Sequence, residues 1–433
     1  MRILHIIGTL SPLTGGPGEA CLGLCRELAR RGHEVSIYTT TFGQPTTGDA
    51  TGLECPIDRP VYDGGVEIRF FVENEHRYYL TSLSLYRALR STIPNVDIVH
   101  VHSIYLFHST VGTLLCRRFG VPYVIKPHGT LDPYLRGRHR LRKWLHEMII
   151  ERRSFRAAAA IQFTAADEMA LATESRVGRW LFDSVVGTIV PNGVVIPEAF
   201  EPGGRGVDIE GLIRKFPELR GKRVILFLGR VNFKKGLDLL SVAFARLCRK
   251  RADIHLLIAG PDNEGYGLRV KESLLAENVL DRVTFAGMLR DEFKNAAFKI
   301  AEIFVLPSYS ENFGIAIVEA MARGLPVIIS ERVNIWREIA DAAAGLVIKC
   351  DATELAVALS TLLDDYELRQ AMGERGRQMV DRTFTWEVAA GQMVNLYERI
   401  LKERGGTRRT VDRTSQMPGG RGSVEVKEVG SGS

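Results

Sequence analysis

The residues best placed to do chemistry lie in the segment 310–328, which reads SENFGIAIVEAMARGLPVI. Gly314 permits a sharp turn, and the residues after it predict a helix whose unpaired first-turn amides can bind a phosphate. Glu311 precedes that helix and Glu319 lies one turn inside it. Two carboxylates beside an anion site would repel a diphosphate, but each can accept hydrogen bonds from sugar or ribose hydroxyls. The alternative is that Glu311 caps the helix and Glu319 is a solvated surface residue.

A second motif, GRVNFKKG at 229–236, directly follows a predicted strand. Arg230 offers a planar guanidinium and Lys235 a point charge, and both are common partners of a diphosphate. Such charge-assisted contacts contribute about 1.5–3 kcal/mol each to binding. The segment lacks the order of an ATP-binding Walker loop, which argues against ATP phosphoryl transfer. A solvated turn is the alternative, and it fits Lys234 better than Arg230.

Two further loops follow predicted strands of the amino-terminal half. Gly15 and Gly16 lack the spacing of a dinucleotide-binding fingerprint, and a plain tight turn explains them equally well. His128, in KPHGTLDPY, stands on a restricted turn that can aim its imidazole, although a packed or solvated histidine is the common alternative. His100 and His102 share one strand face, and we expect one to be buried and the other, His102, to line a cleft.

The sequence predicts neither a metal nor another cofactor. No two aspartates are separated by a single residue, so the pair that chelates a divalent metal with a nucleotide diphosphate is missing. Positive side chains and a helix amino terminus must then take the metal's place. The six cysteines have no paired spacing typical of a zinc site, which indicates reduced thiols in a cytoplasm.

The elements that position these loops alternate between strand and helix. Apolar runs predict strands at 2–8, 33–40, 66–71, 96–101, 122–126, 223–229, 254–260, 282–287, 302–307 and 326–330. Strands separated by helices pair in parallel, and ligands bind beyond their carboxyl ends. We therefore predict an α/β fold of two Rossmann-like parallel-sheet domains, 1–190 and 191–384, facing a deep interdomain cleft. A turn-rich linker opens the second domain, and residues 403–433 read as a disordered tail.

The chain has 433 residues and a net charge of +6, which the segment 134–156 carries by itself. Charge confined to one segment argues against a nucleic-acid binder. Apolar residues recur within the segment at helical spacing, namely Leu141, Trp144, Leu145, Met148 and Ile149. Such a helix can lie on an anionic membrane surface, where each basic residue contributes about 1 kcal/mol. The alternative is that the apolar stripe packs on the domain's own core and the arginines are solvated.

The chain contains no run of 18 apolar residues, so we expect no membrane-spanning helix. Its first residues, MRILHIIG, read as a buried strand rather than a signal peptide. We therefore expect a cytoplasmic protein that contacts the inner face of the cell membrane if the segment 134–156 binds lipid.

These motifs resemble those of retaining glycosyltransferases of the GT-B fold, in the glycogen-synthase-like and mannosyltransferase-like family 4. The resemblance spans residues 1–402, and its motifs are GG at 15–16, HG at 128–129, PNGV at 191–194, GRVNFKKG at 229–236 and ENFGIAIVE at 311–319. The last two motifs, in this order, are the specific ones. The PHGTLDP variant is similar to the branch found in bacterial exopolysaccharide and lipopolysaccharide synthesis.

The resemblance implies that the second domain holds a nucleotide-diphosphate sugar. It assigns catalytic roles to Arg230 and Lys235 at the diphosphate, and to Glu311 and His128 at the donor sugar. It assigns substrate binding to the residues Gly15, Gly16, His102, Asn192, Asn312, Phe313, Gly314, Ile315 and Glu319, the last at the ribose hydroxyls.

The resemblance also implies a metal-independent reaction that retains the anomeric configuration. The leaving phosphate oxygen would take the acceptor's proton on the same face, so that catalysis is mainly electrostatic stabilisation of the departing diphosphate. A glycan or a lipid-diphosphate-linked glycan would be the acceptor, in synthesis of a bacterial surface polysaccharide. The final helix, 385–402, would cross back to the first domain.

Two alternatives to a glycosyltransferase stay open from the sequence. One is another GT-B enzyme, namely an epimerase or a glycan synthase or phosphorylase. The other is a non-catalytic sugar-nucleotide-binding protein, against which the intact charges of Arg230, Lys235, Glu311 and Glu319 argue. The motifs do not specify the base, the sugar, the acceptor or the oligomeric state.

Overall fold

A computed structural model describes residues 1–11, 14–43, 56–57, 59–73, 79–132, 146–174, 180, 186–196 and 207–414. Two β-sheets, each with helices packed against it, form two lobes: the first lobe contains strands β1–β8 and the second contains β9–β14. The predicted pair of Rossmann-like sheets is confirmed. Among the described helices, none is both long enough and apolar enough to cross a membrane.

The first sheet has the strand order β3-β4-β2-β1-β5-β6-β7-β8 and is parallel except for the edge pair β3 and β4. Most residues of its interior strands are buried because helices cover both faces, and several of these buried side chains are polar. The strands are β1 Arg2–Ile6, β2 Glu34–Thr40, β3 Val61–Asp63, β4 Val66–Phe71, β5 Ile98–His102, β6 Tyr123–Lys126, β7 Ala160–Phe163 and β8 Gly187–Ile189.

The second sheet is parallel throughout, with the order β11-β10-β9-β12-β13-β14. The strand order reverses between β9 and β12, which lie side by side, so the loops that follow them diverge around a crevice. This explains why two motifs so distant in sequence meet in space. The strands are β9 Arg223–Leu228, β10 Ile254–Ala259, β11 Val283–Gly287, β12 Ala301–Leu306, β13 Val327–Ser330 and β14 Gly345–Ile348.

The helices follow the alternation that parallel strands require. In the first lobe they are α1 Gly16–Arg30, α2 Leu83–Thr92, α3 Phe107–Phe119, α4 Arg152–Arg156, which a π-helical turn Glu147–Glu151 precedes, and α5 Ala166–Glu174. In the second they are α6 Ile209–Lys215, α7 Leu237–Cys248, α8 Tyr266–Ala276, α9 Asp291–Ile300, α10 Ile315–Ala322, α11 Trp336–Asp341, α12 Ala352–Asp364 and α13 Tyr366–Thr383. Short 3-10 turns occur at Ile93–Asn95, Pro217–Leu219, Phe233–Lys235 and Leu280–Arg282.

The last helix, α14 Trp386–Thr414, returns to the first lobe and packs on α1. Gly23 makes room for it, because a Cβ at this position would overlap the indole ring of Trp386. Tyr397 is fully buried in the same core, and its hydroxyl lies 2.7 Å from His100 Nδ1. The helix extends beyond residue 402, where the sequence interpretation ends it, and residues 415–433 of the expected tail lie outside the described residues.

The chain passes between the lobes twice, and the two passages touch. The Val194 amide donates a hydrogen bond to the Phe384 carbonyl at 2.8 Å, and Val194 forms a parallel bridge with Thr385. A Cβ at Gly193 would overlap the backbone of Trp386, so glycine is required where the passages cross. The region read as a linker, 191–222, is partly helical, since it contains α6.

Candidate functional site

The loop after β9 positions Lys235. The residue ends the 3-10 turn Phe233–Lys235, and Gly236 follows in the left-handed region with a φ of 68°. A Cβ at Gly236 would overlap the carbonyl oxygen of Pro307, so only glycine lets this turn pack against the loop after β12. That packing brings Lys235 Nζ to the carboxylate of Glu311, to which it donates a hydrogen bond.

The amino terminus of α10 faces the same crevice. Gly314, with a φ of 73°, turns the chain, and the helix begins at Ile315. Glu319, one turn into the helix, accepts a hydrogen bond from Lys294 Nζ at 2.7 Å. Each of the two carboxylates beside the predicted anion site, Glu311 and Glu319, therefore has a lysine partner. Both pairs are largely shielded from solvent, and this arrangement relieves the repulsion that two bare carboxylates would exert on a diphosphate.

The glycine loop before α1 meets the second lobe across the crevice. A Cβ on Gly16 would lie 3.0 Å from Ile315 Cδ1, and one on Gly15 would lie 3.5 Å from Arg230 Nε. Larger residues would push the lobes apart at this point. The loop thus has a reason to be glycine-rich that its sequence does not reveal: it lets the first lobe approach the amino terminus of α10.

His128 follows β6 on a strained turn. Its φ of 54° is rare for a residue with a side chain. The next amide, that of Gly129, donates to Glu168 Oε1 at 3.0 Å, which holds the turn in place. Burial raises the pKa of Glu168. A Cβ on Gly129 would lie 2.8 Å from Asn312 Cβ, so this turn also packs closely on the second lobe.

Asn192 reaches the site from the chain segment after β8. Its Oδ1 accepts a hydrogen bond from Lys126 Nζ at 2.6 Å. Lys126 is 1% exposed, and burial lowers its pKa to about 8. The sequence analysis missed this buried lysine although it begins the motif KPHGTLDPY, because it is the last residue of β6 and only the fold shows that Asn192 lies beside it.

These side chains surround one cavity of about 1740 Å³ between the lobes. Both lobes contribute to its lining, because ligands of parallel sheets bind in the crevice beyond the carboxyl ends of the strands. Of the predicted site residues, the structure places at this cavity Gly15, Gly16, His128, Asn192, Arg230, Lys235, Glu311, Asn312, Phe313, Gly314, Ile315 and Glu319.

His102 is the exception, and the expectation that it lines the cleft is wrong. Both His102 and His100 have no exposed surface, because every residue of β5 is covered by packed elements. His128 lies between His102 and the cavity, and the His102 Nδ1 to His128 Nε2 distance is 2.9 Å. His102 therefore reaches the cavity only through His128.

Several cavity residues were not among the predicted site residues. Lys294 and Asn295 come from α9, and Arg323 follows α10. Glu19 comes from the first turn of α1. Its position just after the glycine loop was the one feature of the sequence that could have indicated it as a site residue. Burial raises the pKa of Glu19 against the opposing effect of the Lys294 charge.

Polar contacts also join the lobes around the cavity. Ser310 Oγ donates to Asp132 Oδ2 at 2.5 Å, and Arg337 Nε donates to Asp167 Oδ1 at 3.0 Å. These bonds hold the cleft at its present width.

Ligand atoms close enough to hold a metal do not occur together in the cavity among the described residues. The group that the described residues offer is His5, Cys21 and His102, whose ligand atoms lie within 4.8 Å of one another. All three side chains are buried in the first lobe, outside the cavity lining. A metal-independent reaction remains a prediction.

The basic segment 134–156 is described only from residue 146 onward, so most of its predicted helix lies outside the described residues. Where it is described, the alternative in which the apolar stripe packs on the domain's own core does not hold for Met148 and Ile149. Met148 and Ile149 are exposed, whereas Glu147 and Glu151 are buried and accept hydrogen bonds from Tyr105. The π-helical turn that contains them shifts the helical register, which explains the exchange.

Two family sequence profiles match the chain. The one described as a glycosyl transferase 4-like domain covers residues 15–193, and the one described as glycosyl transferases group 1 covers residues 208–379. Among curated proteins, a phosphatidyl-myo-inositol mannosyltransferase of Mycolicibacterium smegmatis is 30% identical over 92% of this chain and 94% of its own length.

Solved structures share the fold at lower identity. A sucrose-phosphate synthase from Thermosynechococcus elongatus is 20% identical with a TM-score of 0.71, covering 93% of this chain and 100% of that one. The Anabaena protein HepE, solved in complex with UDP and glucose, is 17% identical with a TM-score of 0.68, covering 91% and 98% respectively. Profiles and relative together identify one protein family.

Proposed function

Because this chain belongs to the GT-B glycosyltransferases of the family 4 type, we propose that it transfers a sugar from a nucleotide-diphosphate donor, with retention of anomeric configuration. The single observation that carries this proposal is the composition of the cavity. Arg230, Lys235 and the amino terminus of α10 converge there with Glu311 and Glu319. Cations and helix amides suit a diphosphate, and carboxylates suit hydroxyls. The HepE structure, which holds UDP and glucose, supports a donor of this class.

In this proposal the second lobe binds the donor. Arg230 and Lys235 neutralise the diphosphate as it leaves, and Glu319 accepts hydrogen bonds from the ribose hydroxyls. Glu311 and the amides of Asn312 to Ile315 bind the hydroxyls of the donor sugar. The acceptor hydroxyl forms the new glycosidic bond on the face from which the phosphate departs, and its proton passes to the leaving phosphate oxygen. No metal takes part.

We assign the acceptor to the glycans or lipid-linked glycans of a bacterial surface polysaccharide. The mannosyltransferase relative, whose name specifies a phosphatidylinositol acceptor, supports a lipid-linked substrate. The exposed Met148 and Ile149, beside the cluster of arginines, support contact with an anionic membrane.

Release of nucleoside diphosphate from a panel of UDP-, GDP- and ADP-sugars tests the donor class. We expect one sugar nucleotide to be turned over, faster with an acceptor extract than without, and EDTA to leave the rate unchanged. If none of the sugar nucleotides releases nucleoside diphosphate, the result would favour a non-catalytic binding protein. Conversion of the donor to an isomer without net diphosphate release would favour an epimerase.

The stereochemistry needs its own measurement. Proton NMR of the fresh product should show the anomeric configuration of the donor sugar. An inverted anomeric signal would remove the same-face mechanism while leaving the transferase assignment intact.

A further inference from the structure

Hydrogen bonds on both sides of Asn192 fix the backbone of the segment after β8. The Val190 amide donates to the Phe163 carbonyl at 2.8 Å, and Gln162 Nε2 donates to the Val190 carbonyl at 2.9 Å. On the other side, Val194 is bonded at the crossing of the two passages. Asn192 itself is 4% exposed and lines the cavity. Because its backbone is fixed, its function depends on whether the amide oxygen or the amide nitrogen faces the cavity.

Lys126 determines the orientation of that amide. Its side chain, 1% exposed at the end of β6, donates a hydrogen bond from Nζ to Asn192 Oδ1 at 2.6 Å. An ammonium group has three hydrogens to donate and no lone pair to accept with, so the amide must turn its oxygen toward Lys126. The Asn192 nitrogen therefore points away from Lys126.

The nitrogen of the Asn192 amide has unused hydrogens at the cavity wall. Among the residues that the structure describes, no group accepts a hydrogen bond from it. Polar groups buried to this extent ordinarily have a hydrogen-bond partner, which in a cavity wall is a ligand or water. The amide is thus placed to donate to an oxygen atom of a molecule in the cavity.

We propose that Lys126 is a positioning residue that holds the Asn192 amide with its nitrogen toward the cavity, where this nitrogen donates a hydrogen bond to a substrate oxygen. Hydroxyl and phosphate oxygens both accept such a bond. The oxygen belongs to the sugar nucleotide or to the acceptor, and the kinetic measurement below distinguishes the two. The identity of the substrate rests on the proposed function, but the orientation of the amide does not.

The charge of Lys126 gives this arrangement a dependence on pH. Burial lowers the pKa of Lys126 to about 8, against the opposing attraction of Glu168, so the ammonium form predominates below that pH and the neutral amine above it. A neutral amine accepts as well as donates, and it no longer dictates which end of the amide faces it. The ionisable side chains that face Lys126 are Glu168 on α5, Cys21 and Cys25 on α1, His100 and His102 on β5, and His128.

Proton–nitrogen NMR of the full chain labelled at asparagine side chains tests the contact without any substrate. An Asn192→Asp variant assigns the Asn192 signal by removing it. Between pH 6 and 9.5 we expect the wild-type Asn192 nitrogen signal to shift with a midpoint near 8, because the ammonium polarises the amide through its oxygen. Lys126→Met, which has a side chain of similar length without a charge, should abolish that shift.

Kinetics supply the second measurement. Asn192→Asp keeps an oxygen for Lys126 but puts a second oxygen where the amide donated its hydrogens. It should keep the wild-type free energy of unfolding while kcat/KM falls about 10–100-fold. Lys126→Met, in which the amide can turn over, should lower kcat/KM about tenfold. The KM of the sugar nucleotide rises if that substrate carries the oxygen, and the KM of the acceptor rises if the acceptor does.

Gln162→Met is the matched control. Gln162 is 1% exposed on β7 and bonds the same segment at Val190, but it lies outside the cavity lining. The variant should lose stability because a buried hydrogen bond is removed, and it should keep the wild-type kcat/KM.

Three outcomes would overturn the proposal. The first is a wild-type kcat/KM in Asn192→Asp, and the second is an Asn192 signal that does not shift with pH in the wild type or shifts equally in Lys126→Met. The third is an equal loss of kcat/KM in Lys126→Met and Gln162→Met, which would indicate a general loss of support for the segment. If Lys126→Met fails to fold, Asn192→Asp and the wild-type NMR decide. Because the NMR is measured without substrate, its result is distinct from a failure to find any sugar-nucleotide turnover.

Discussion

The charged groups of the cavity are bonded to one another across short distances. Lys235 bonds Glu311, and Lys294 bonds Glu319 at 2.7 Å. Under the proposed function, a diphosphate sugar would compete for each lysine, and its hydroxyls would take over each carboxylate. Such an exchange preserves the number of charge-assisted hydrogen bonds, so neither a lysine nor a carboxylate is left buried and unpaired.

Replacing Lys235 tests the leaving-group role at this scale. Lys235→Ala should lower kcat by about 10²–10³-fold, because the charge that develops on the departing diphosphate loses one of the two cations proposed to neutralise it. Steady-state release of nucleoside diphosphate measures the effect. Lys250→Ala, at an exposed position outside the cavity lining, is the matched control and should retain full activity. Wild-type turnover in Lys235→Ala would remove the role.

Glu319 is tested by ligand discrimination. Glu319→Ala should weaken binding of the matching nucleoside diphosphate about 10–100-fold, because it loses hydrogen bonds to a charged acceptor. Calorimetry with the 2′,3′-dideoxy nucleotide separates this role from a general loss of fit. Wild type should discriminate strongly against the dideoxy ligand, and Glu319→Ala should not. Equal discrimination by both proteins would show that another group reads the ribose.

At the residue scale, the sequence predicted the site residues that lie in recognisable local motifs. It missed the residues that tertiary packing alone brings to the cavity. Glu311 and Lys235 were visible because each follows a strand beside a glycine. Lys294 and Lys126 were not, because their roles depend on which helix and strand become neighbours. The prediction that His102 lines the cleft was wrong because the alternation of side chains along a strand shows which residues share a face. It does not show whether that face borders a cavity or is covered by packed elements.

The strands determine where the site forms. The strand order reverses at β9 and β12 in the second sheet, and β1 has β2 on one side and β5 on the other in the first. Long apolar runs predicted ten of these strands well. The strands β3, β7, β8 and β14 were not predicted; each has only three or four residues, although β6 and β13, with four residues each, were. The residues of α6, with their flanking glycines and prolines, were read as part of a linker.

The buried histidines around β5 predict acid lability. Burial lowers the pKa of His108 to about 4, and it lowers those of His100, His102 and His128 well below 6.5. Below pH 6.5 the unfolded chain takes up protons that the folded chain refuses. The free energy of unfolding should therefore fall with falling pH, by about 1.4 kcal/mol per pH unit for each such proton.

Denaturant unfolding at pH 7.5, 6 and 5 measures this dependence. His108→Gln, which removes one titrating ring, should reduce the slope below pH 6.5 relative to the wild type. An identical slope in the two proteins would contradict the assignment of His108 as a neutral buried group.

At the scale of the whole molecule, two chain passages and a few polar bonds connect the lobes. Ser310 to Asp132 and Arg337 to Asp167 span the cleft, whereas Val194 and Phe384 join the two passages. The cleft bonds are partly exposed and contribute modestly, while the crossing is tightly packed. We infer that the crossing is the stronger of the two connections.

Gly193→Ala tests the crossing. The new methyl group would overlap the backbone of Trp386, so the variant should lose about 1–3 kcal/mol of stability through overpacking. Denaturant unfolding measures it. Gly229→Ala is the control for stability, because its methyl would lie 3.9 Å from the nearest side-chain atoms, an ordinary contact. Equal stability of the two variants would show that the crossing readily adapts.

The contact between Val194 and Phe384 has a practical consequence for protein engineering. The chain enters and leaves the second lobe at one point. Residues 194–384 therefore form a continuous insert whose ends are already adjacent. Such an insert can be excised as one piece, cyclised through a short peptide, or grafted into a different host loop. Under the proposed function, in which the second lobe binds the donor, exchanging it between related enzymes should transplant donor preference while the recipient keeps its own acceptor.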